Sequence, residues 1–499
     1  MATGFVGRKS ELALLTKRLD LARASGSGVA VAIRGRHQAG KSRLAQEFCD
    51  AAGVPYLYYT AAKGASPLAA VRGFVAEVRE SALARSASQA GRDLTDHAVS
   101  GWPDAFRLLA AALPDSPSVV VLDELPWLAE QDPVFDGALQ ATWDRLLSQR
   151  PVLLLLVGSD LAAMERLTAG QDGLDTLDAL DTPDTPGALG AHADSLLLGP
   201  LNPAEVGAAL HLSPADAIDA HLVSGGLPGI VRAWPAGQPA LEFAEGQCED
   251  PASPLFCVPE TALLTELPAP DAARGVIEAV GGGSRTHAAI AAEAGSRTAA
   301  IPSGTLSPLL GRLIAEKRVL AIDEPLSTRG GKPALYRLAD SSLGFYLEIG
   351  RAAQERARRG RPVSAVALVR RRWDAWRARS AEVVVREALS RAAAALPWPE
   401  AAAVGGWWTR TFETVIGIVG ADRSPGARTV YYAGAITWLG RPFGDADLGA
   451  LCRDAPFVPG FDPATGGLMA VSLGGFSGDA ASRLAVRWGP DEVVAAYPA

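Results

Sequence analysis

At 499 residues the chain is too long for one hydrophobic core, and with 48% of its residues apolar it can fill roughly two to four. A formal charge of −8 argues against a protein that coats nucleic acid without regard to sequence, and leaves room for a local basic face. Four cysteines (Cys49, Cys248, Cys257, Cys452) show no metal-ligand spacing and read as thiols in a reducing cytosol rather than a disulfide framework.

The first residues carry neither a basic nor an apolar leader segment, and the longest apolar run, 152–157, is far shorter than a membrane span. The expectation is a soluble, cytoplasmic protein with no membrane partner. From residue 28 to about 200, short β-type runs at 28–33, 55–59, 119–122, 152–157 and 195–198 alternate with helical stretches. That alternation predicts βαβ units around a parallel sheet, whose buried strands read as continuous apolar runs. A turn-rich insert of Asp, Thr and Pro at 170–190 reads as a surface loop.

The first run leads into Gly35-Arg36-His37-Gln38-Ala39-Gly40-Lys41-Ser42, a complete GxxxxGK[ST] phosphate-binding loop, and a helical stretch leads out of it. Glycines let backbone N–H groups curl around phosphates, and the new helix points its positive end at them. Lys41 is expected to reach the β- and γ-phosphates of ATP, and the Ser42 hydroxyl to coordinate Mg²⁺. His37 reads as a solvent-facing loop residue rather than a catalyst. Val119-Val120-Val121-Leu122-Asp123-Glu124 has the form of a buried strand that delivers Asp123 to the metal and Glu124 to the attacking water. The next strand ends in Gly158-Ser159-Asp160, where Ser159 or Asp160 reads equally as a γ-phosphate sensor or as a turn with a helix cap.

Residues 203–245 look helical, broken at Gly225-Gly226-Leu227-Pro228, and a Pro- and acid-rich stretch, 249–270, reads as a linker. Three amphipathic helices at 272–280, 287–294 and 303–317, with Ser303 as N-cap of the third, precede strands at 318–322 and 335–338. The third helix resembles a winged helix-turn-helix recognition helix, but Ser303, Thr305, Ser307, Pro308 and Arg312 are a poor set for bidentate base contacts. Arg329 and Lys332 in the connecting loop are candidates for phosphate contact. The module reads either as a DNA contact or as a protein-packing or oligomerisation element. Residues 351–379 hold ten arginines and two acids, either a solvated helix linking domains or a phosphate-backbone stripe. Trp373 and Trp376, three apart, read as packing that helix onto the tail domain rather than as stacking on bases.

Taken together, these motifs resemble a known family. Phe5-Val6-Gly7-Arg8-Lys9-Ser10-Glu11-Leu12 is similar to the box that opens many STAND and AAA+-type ATPases, where it lies against the adenine. Gly225-Gly226-Leu227-Pro228 is similar to the element of their helical lid that approaches the base from the other side. The resemblance therefore implies nucleotide contacts from Phe5, Val6, Gly7, Arg8 and Pro228. The whole chain resembles the archaeal and bacterial ATPases in which such a module is followed by a winged helix and a restriction-nuclease-like, PD-(D/E)xK-type domain. The implied fold is α/β: a P-loop core with a parallel sheet (1–202), a helical lid (203–250), a winged helix (251–345), an arginine-rich helical linker (346–380) and a nuclease-like α/β domain (381–499).

Two departures stand out. Family members carry a Gly-Arg pair shortly before the segment that here reads Leu198-Gly199-Pro200-Leu201, whereas this chain has Leu189-Gly190-Ala191-His192-Ala193 and no arginine. If that arginine neutralises charge during hydrolysis, its absence slows turnover. In the tail, the resemblance places Glu382 on the opening helix and Gly405-Gly406-Trp407-Trp408 in the aromatic lead-in. The positions of the family's carboxylates and lysine are held by Val415, Gly417, Ala435 and Thr437. Glu413, an even shift of two residues from Val415 on a strand, keeps the same face and could compensate, but would still lack aspartate and lysine partners. Without oxygen ligands a divalent metal does not bind, so no nuclease activity is expected. The implied function is an ATP-binding switch with slow hydrolysis. The alternatives are an ATP-dependent DNA-binding or DNA-processing factor and a protein-interaction module of a signalling assembly that binds a protein partner or itself.

Overall fold

The apolar runs of the N-terminal part become five strands: Val29–Arg34 (β1), Tyr56–Thr60 (β2), Ser118–Asp123 (β3), Val152–Gly158 (β4) and Ala193–Leu197 (β5). The computed structural model describes residues 5, 7–86, 99–168, 193–266, 272–295, 300–478 and 480–498. Two compact units divide the chain: Arg8–Gly199, and Pro200–Ala499 together with Met1–Gly7.

In the unit Arg8–Gly199 the strands form one parallel sheet in the order β2-β3-β4-β1-β5, as the alternating pattern predicts. Every residue of β3 and β4 is buried, which is why they are written without polar alternation. Outside the sheet, Phe74, Trp102, Phe106 and Phe135 form an aromatic cluster, with Trp102 set edge-on to Phe135 at 4.9 Å between ring centroids. The polar insert at 170–190 lies outside the described residues.

The unit Pro200–Ala499 begins with helices. The helix Pro214–Ser224 ends at Gly225 and Gly226, with φ of 61° and 64°, and Pro228 opens the helix Pro228–Val231 in its first turn. A Cβ on Gly226 would sit 1.9 Å from the Leu201 carbonyl oxygen, so that position admits only glycine. The linker expected at 249–270 is instead largely a helix, Pro254–Glu266, which buries Leu255, Phe256 and Leu263 and carries Pro259 inside it. Its prolines hid the apolar spacing that drives it into the core.

Helices Ala272–Gly281, His287–Glu293 and Ser303–Ala315 follow, then an antiparallel pair, Leu320–Asp323 (β6) and Leu335–Leu338 (β7), with Leu320 opposite Leu338. Ser303 is not the N-cap it was expected to be. Pro302 holds that place and Ser303 is the first helical residue. The helix Pro362–Arg391 runs 30 residues without a break through position 380. It packs against the helices Pro214–Ser224 and Ala240–Gly246 and against the final sheet. Trp373 and Trp376 are buried on it, Trp376 lying edge-on to Phe345 at 5.0 Å. Arg377 pairs at 2.7 Å with the buried Asp219, which also accepts the Trp438 indole N–H at 3.3 Å. Burial pushes the Asp219 carboxyl up, and the hydrogen bond and charge of Arg377 pull it back.

The last sheet contains Ala403–Trp408 (β8), Val415–Ala421 (β9), Val430–Thr437 (β10), Gly467–Ser472 (β11) and Val486–Trp488 (β12), in the order β12-β11-β10-β9-β8. It is mixed: β8, β9 and β10 run antiparallel to one another, and β10, β11 and β12 run parallel. No helix among the described residues is long and apolar enough to cross a membrane.

Candidate functional site

All strands of the first sheet end on one edge because the sheet is parallel, and ligand sites in such sheets form beyond that edge. Gly35 follows β1 there, and a Cβ on it would lie 2.3 Å from the Leu198 carbonyl oxygen, so the loop starts at glycine for lack of room. Gln38 takes φ of 65° and Gly40 φ of 90°, and the turn they make delivers the chain into the helix Lys41–Ala52. That helix begins without any side-chain cap, so its first N–H groups are open to an anion. Lys41 is buried, and its Nζ donates to the Arg36 carbonyl at 2.8 Å, holding the ammonium inside the loop. The Gln38 Oε1 is buried with no hydrogen-bond partner, and His37 is exposed, as expected.

Asp123 closes β3 and is almost wholly buried. Its Oδ2 accepts the Tyr58 hydroxyl at 2.9 Å, its Oδ1 accepts the Glu124 N–H at 3.0 Å, and the Ser42 side chain also hydrogen-bonds to it. Burial raises its carboxyl above the usual range, while the Ser42 and Tyr58 hydrogen bonds work the other way. Burial and the Asp123 charge push the Tyr58 phenol far up, so it remains a donor. Glu124 has φ of 57°, a left-handed conformation that costs a glutamate about 1–3 kcal/mol. That turn brings both of its carboxylate oxygens to the Ser159 hydroxyl, at 2.6 and 2.7 Å. Asp160 accepts the Ala163 N–H at 2.9 Å and so caps the helix Leu161–Thr168. Of the Gly158-Ser159-Asp160 segment, Ser159 thus bonds to Glu124 and Asp160 caps a helix, a job compatible with its second reading as a sensor.

Lys41, Ser42, Asp123 and Glu124 therefore meet at one end of the sheet. Arg8 belongs to the same unit. Its buried guanidinium donates to the Ala39 carbonyl at 3.2 Å and to the Gly199 carbonyl, and pairs with Glu11 at 3.1 Å. Arg8 so braces the phosphate loop from behind, a contact that sequence spacing did not show. Phe5, Gly7 and Pro228 lie in the other unit, where Gly7 (φ 66°) abuts Leu201 and Glu205. Val6 and the segment 189–192 that lacks the arginine are outside the described residues. Tyr58 was missed because its strand signalled only burial, and its role depends on the register that sets Thr60 opposite Asp123.

Elsewhere, the loop between β6 and β7 is anchored rather than free. Leu326 donates its N–H to Gly406 O at 2.8 Å, Trp408 its indole N–H to Pro333 O at 2.8 Å, and Arg410 its guanidinium to Gly331 O at 3.0 Å. Lys332 lies over the Trp407 ring at 4.5 Å, and Arg329 is exposed. The Ser307 hydroxyl meets His287 Nε2 at 3.1 Å. Of the ten arginines at 351–379, Arg351, Arg358, Arg359, Arg370, Arg377 and Arg379 pair with acids, and Arg356 and Arg372 with carbonyls. Of these pairs Arg377–Asp219 is mostly buried, the other arginines are largely exposed, and Arg359–Glu355 lies within one helix.

A cleft of about 310 Å³ beside the last sheet is lined by Val415, Gly417, Ala435 and Thr437, with Arg441, Asp447 and Asp454 also on its wall. These are the four positions at which the resemblance located the missing acids and lysine. Glu382 pairs with Arg386 at 3.0 Å, and the same arginine donates to Gly417 O at 2.8 Å. Glu413 does not lie on β9 as the shared-face argument required. It sits exposed in the preceding turn, where Phe412 has φ of 60°.

Residues 4–156 match the family model described as an AAA ATPase domain. Among solved structures, a Walker-type ATPase of Pyrococcus abyssi is 14% identical, the match covering 69% of this chain and 96% of that one with a TM-score of 0.44. The ORC1 protein of Aeropyrum pernix in complex with DNA is 15% identical over 73% of this chain and 94% of that one, TM-score 0.33. Drosophila ORC bound to DNA is 14% identical over 72% and 88%, TM-score 0.32. No curated protein matches the chain in sequence. With its parallel sheet and phosphate loop, the N-terminal part of the chain is similar to an AAA ATPase domain, a nucleotide-binding module, over the residues matched.

Proposed function

We propose that the chain binds ATP with Mg²⁺ and works as a slowly hydrolysing, nucleotide-dependent switch, coupled to a winged helix at 251–345 and an inactive nuclease-like domain at 381–499. The observation that carries this is the convergence of Lys41, Ser42, Asp123 and Glu124 on the uncapped start of one helix. The site fits the ligand. The helix start is open to an anion, Lys41 holds a positive charge within the loop, and Ser42 and Asp123 offer a hydroxyl and a carboxylate, the oxygen donors a hard cation takes. Ser42 and Asp123 would hold Mg²⁺, which would supply charge neutralisation at the phosphates. Lys41 exchanges its contact with Arg36 O for phosphate oxygens, and Glu124 is placed to accept a proton from water. Ser159 holds the Glu124 carboxylate in position.

The anchored β6–β7 loop favours a protein-packing role for the winged-helix part over DNA contact. The nuclease-like domain serves as a scaffold, because its cleft presents small neutral side chains where ligands would stand. Purified chain incubated with linear, nicked and supercoiled DNA in Mg²⁺ or Mn²⁺ is expected to cleave none of them. Cleavage that is lost on changing Glu382 or Glu413, but not Lys41, contradicts the scaffold assignment. In the same preparations, retention of duplex DNA in a gel shift only when ATP is present would move the assignment to a DNA-binding factor.

A further inference from the structure

Asp123 offers about four lone-pair sites. Three donors take up three of them: the Tyr58 hydroxyl on Oδ2, the Glu124 N–H on Oδ1, and the Ser42 side chain. They are not equivalent once a cation is present. A hydroxyl that ligates a metal through a lone pair keeps its O–H to donate, so Ser42 still holds the carboxylate, but its position then follows the cation. The remaining pair, Tyr58 and Glu124 N–H, pins one oxygen each and so fixes the plane of the carboxylate.

Tyr58 is suited to this. The phenol has a single proton, and of its two neighbours the charged Asp123 Oδ2 at 2.9 Å is a stronger and nearer acceptor than the Ser42 carbonyl at 3.1 Å. It projects from β2, the strand hydrogen-bonded to β3, so the support comes from rigid backbone on the side opposite the β4 strand. Its ring is half-buried, and its hydroxyl also lies 3.1 Å from the Ser42 main-chain carbonyl.

We infer that Tyr58 is a positioning residue for the cation of this site: its hydroxyl holds the Asp123 carboxylate in the orientation that Mg²⁺·ATP requires. This rests on the assignment of Ser42 and Asp123 to Mg²⁺ given above. Partners that orient a metal-ligating carboxylate typically change metal affinity by about 10–100-fold when removed.

The test is calorimetric titration of ATP into the full chain, wild type and Tyr58→Phe, once with Mg²⁺ and once with EDTA, with the thermal midpoint of each ligand-free protein recorded. The expected result is equal affinity in EDTA, within about twofold, and an affinity in Mg²⁺ about 10-fold weaker in the variant. A merely structural tyrosine would lower the thermal midpoint and leave the Mg²⁺ enhancement unchanged. Full enhancement in Tyr58→Phe therefore overturns the inference while the site assignment stands. Equal losses with and without Mg²⁺ also overturn it, since Tyr58 would then act on the loop through Ser42. A wild type that binds ATP no better with Mg²⁺ than without defeats the metal assignment itself, and the inference with it. Should Tyr58→Phe fail to fold, Tyr58→Met is titrated in its place, and failure of both makes the residue a strut and refutes the inference.

Discussion

Lys41→Ala is expected to weaken ATP binding by about 100-fold or more while the chain keeps its fold. The ammonium is buried at the mouth of the helix Lys41–Ala52 and hydrogen-bonded to the Arg36 carbonyl, so in the free protein it already stands where phosphate oxygens would replace that carbonyl. Truncating one side of such a buried charge pair costs about 2–5 kcal/mol of binding. The fold should survive, because alanine is the better helix former and the loop turns on Gln38 and Gly40 rather than on the lysine. Calorimetry together with a circular dichroism melt checks both halves. Unchanged affinity in the variant would remove Lys41 from the site.

Glu124→Gln should leave ATP affinity within a few-fold of wild type and reduce hydrolysis by about 100-fold or more. The amide oxygen can still accept from Ser159, so the side chain stays in place, but an amide does not take a proton from water. The left-handed backbone at residue 124 is shared by both proteins, so its strain cancels in the comparison. Equal single-turnover rates for the two proteins would show that Glu124 is not the base.

Much of the first unit was legible because its signals are local. Val119 to Leu122 and Val152 to Val157 are apolar at every position, which only a strand covered on both faces explains, and both are buried throughout. The phosphate loop is equally local, since its glycines are demanded by φ at Gly40 and by the Leu198 carbonyl at Gly35. What escaped the sequence depends on contacts far apart in the chain. The Tyr58 contact needs strand register, the Arg8 brace needs Gly199 alongside Ala39, and the arginine pairs need Glu245, Glu260 and Glu348 brought beside two helices. The helix Pro254–Glu266 was masked by proline, whose local penalty is overridden by the burial of Leu255, Phe256 and Leu263. Glu413 was misplaced because it follows the left-handed Phe412 in the turn closed by Thr409 and Thr414, and β9 begins only at Val415.

Hydrogen exchange of the full chain, with and without saturating Mg²⁺·ATP, tests most directly where the nucleotide sits, since it requires no substitution. Slowed exchange is predicted for amides of residues 35–44, in the loop and the first turn of its helix, and for residues 121–125 around Asp123 and Glu124. Protection confined to other segments, such as the cleft beside the last sheet, or no protection at saturating ATP, would contradict the account.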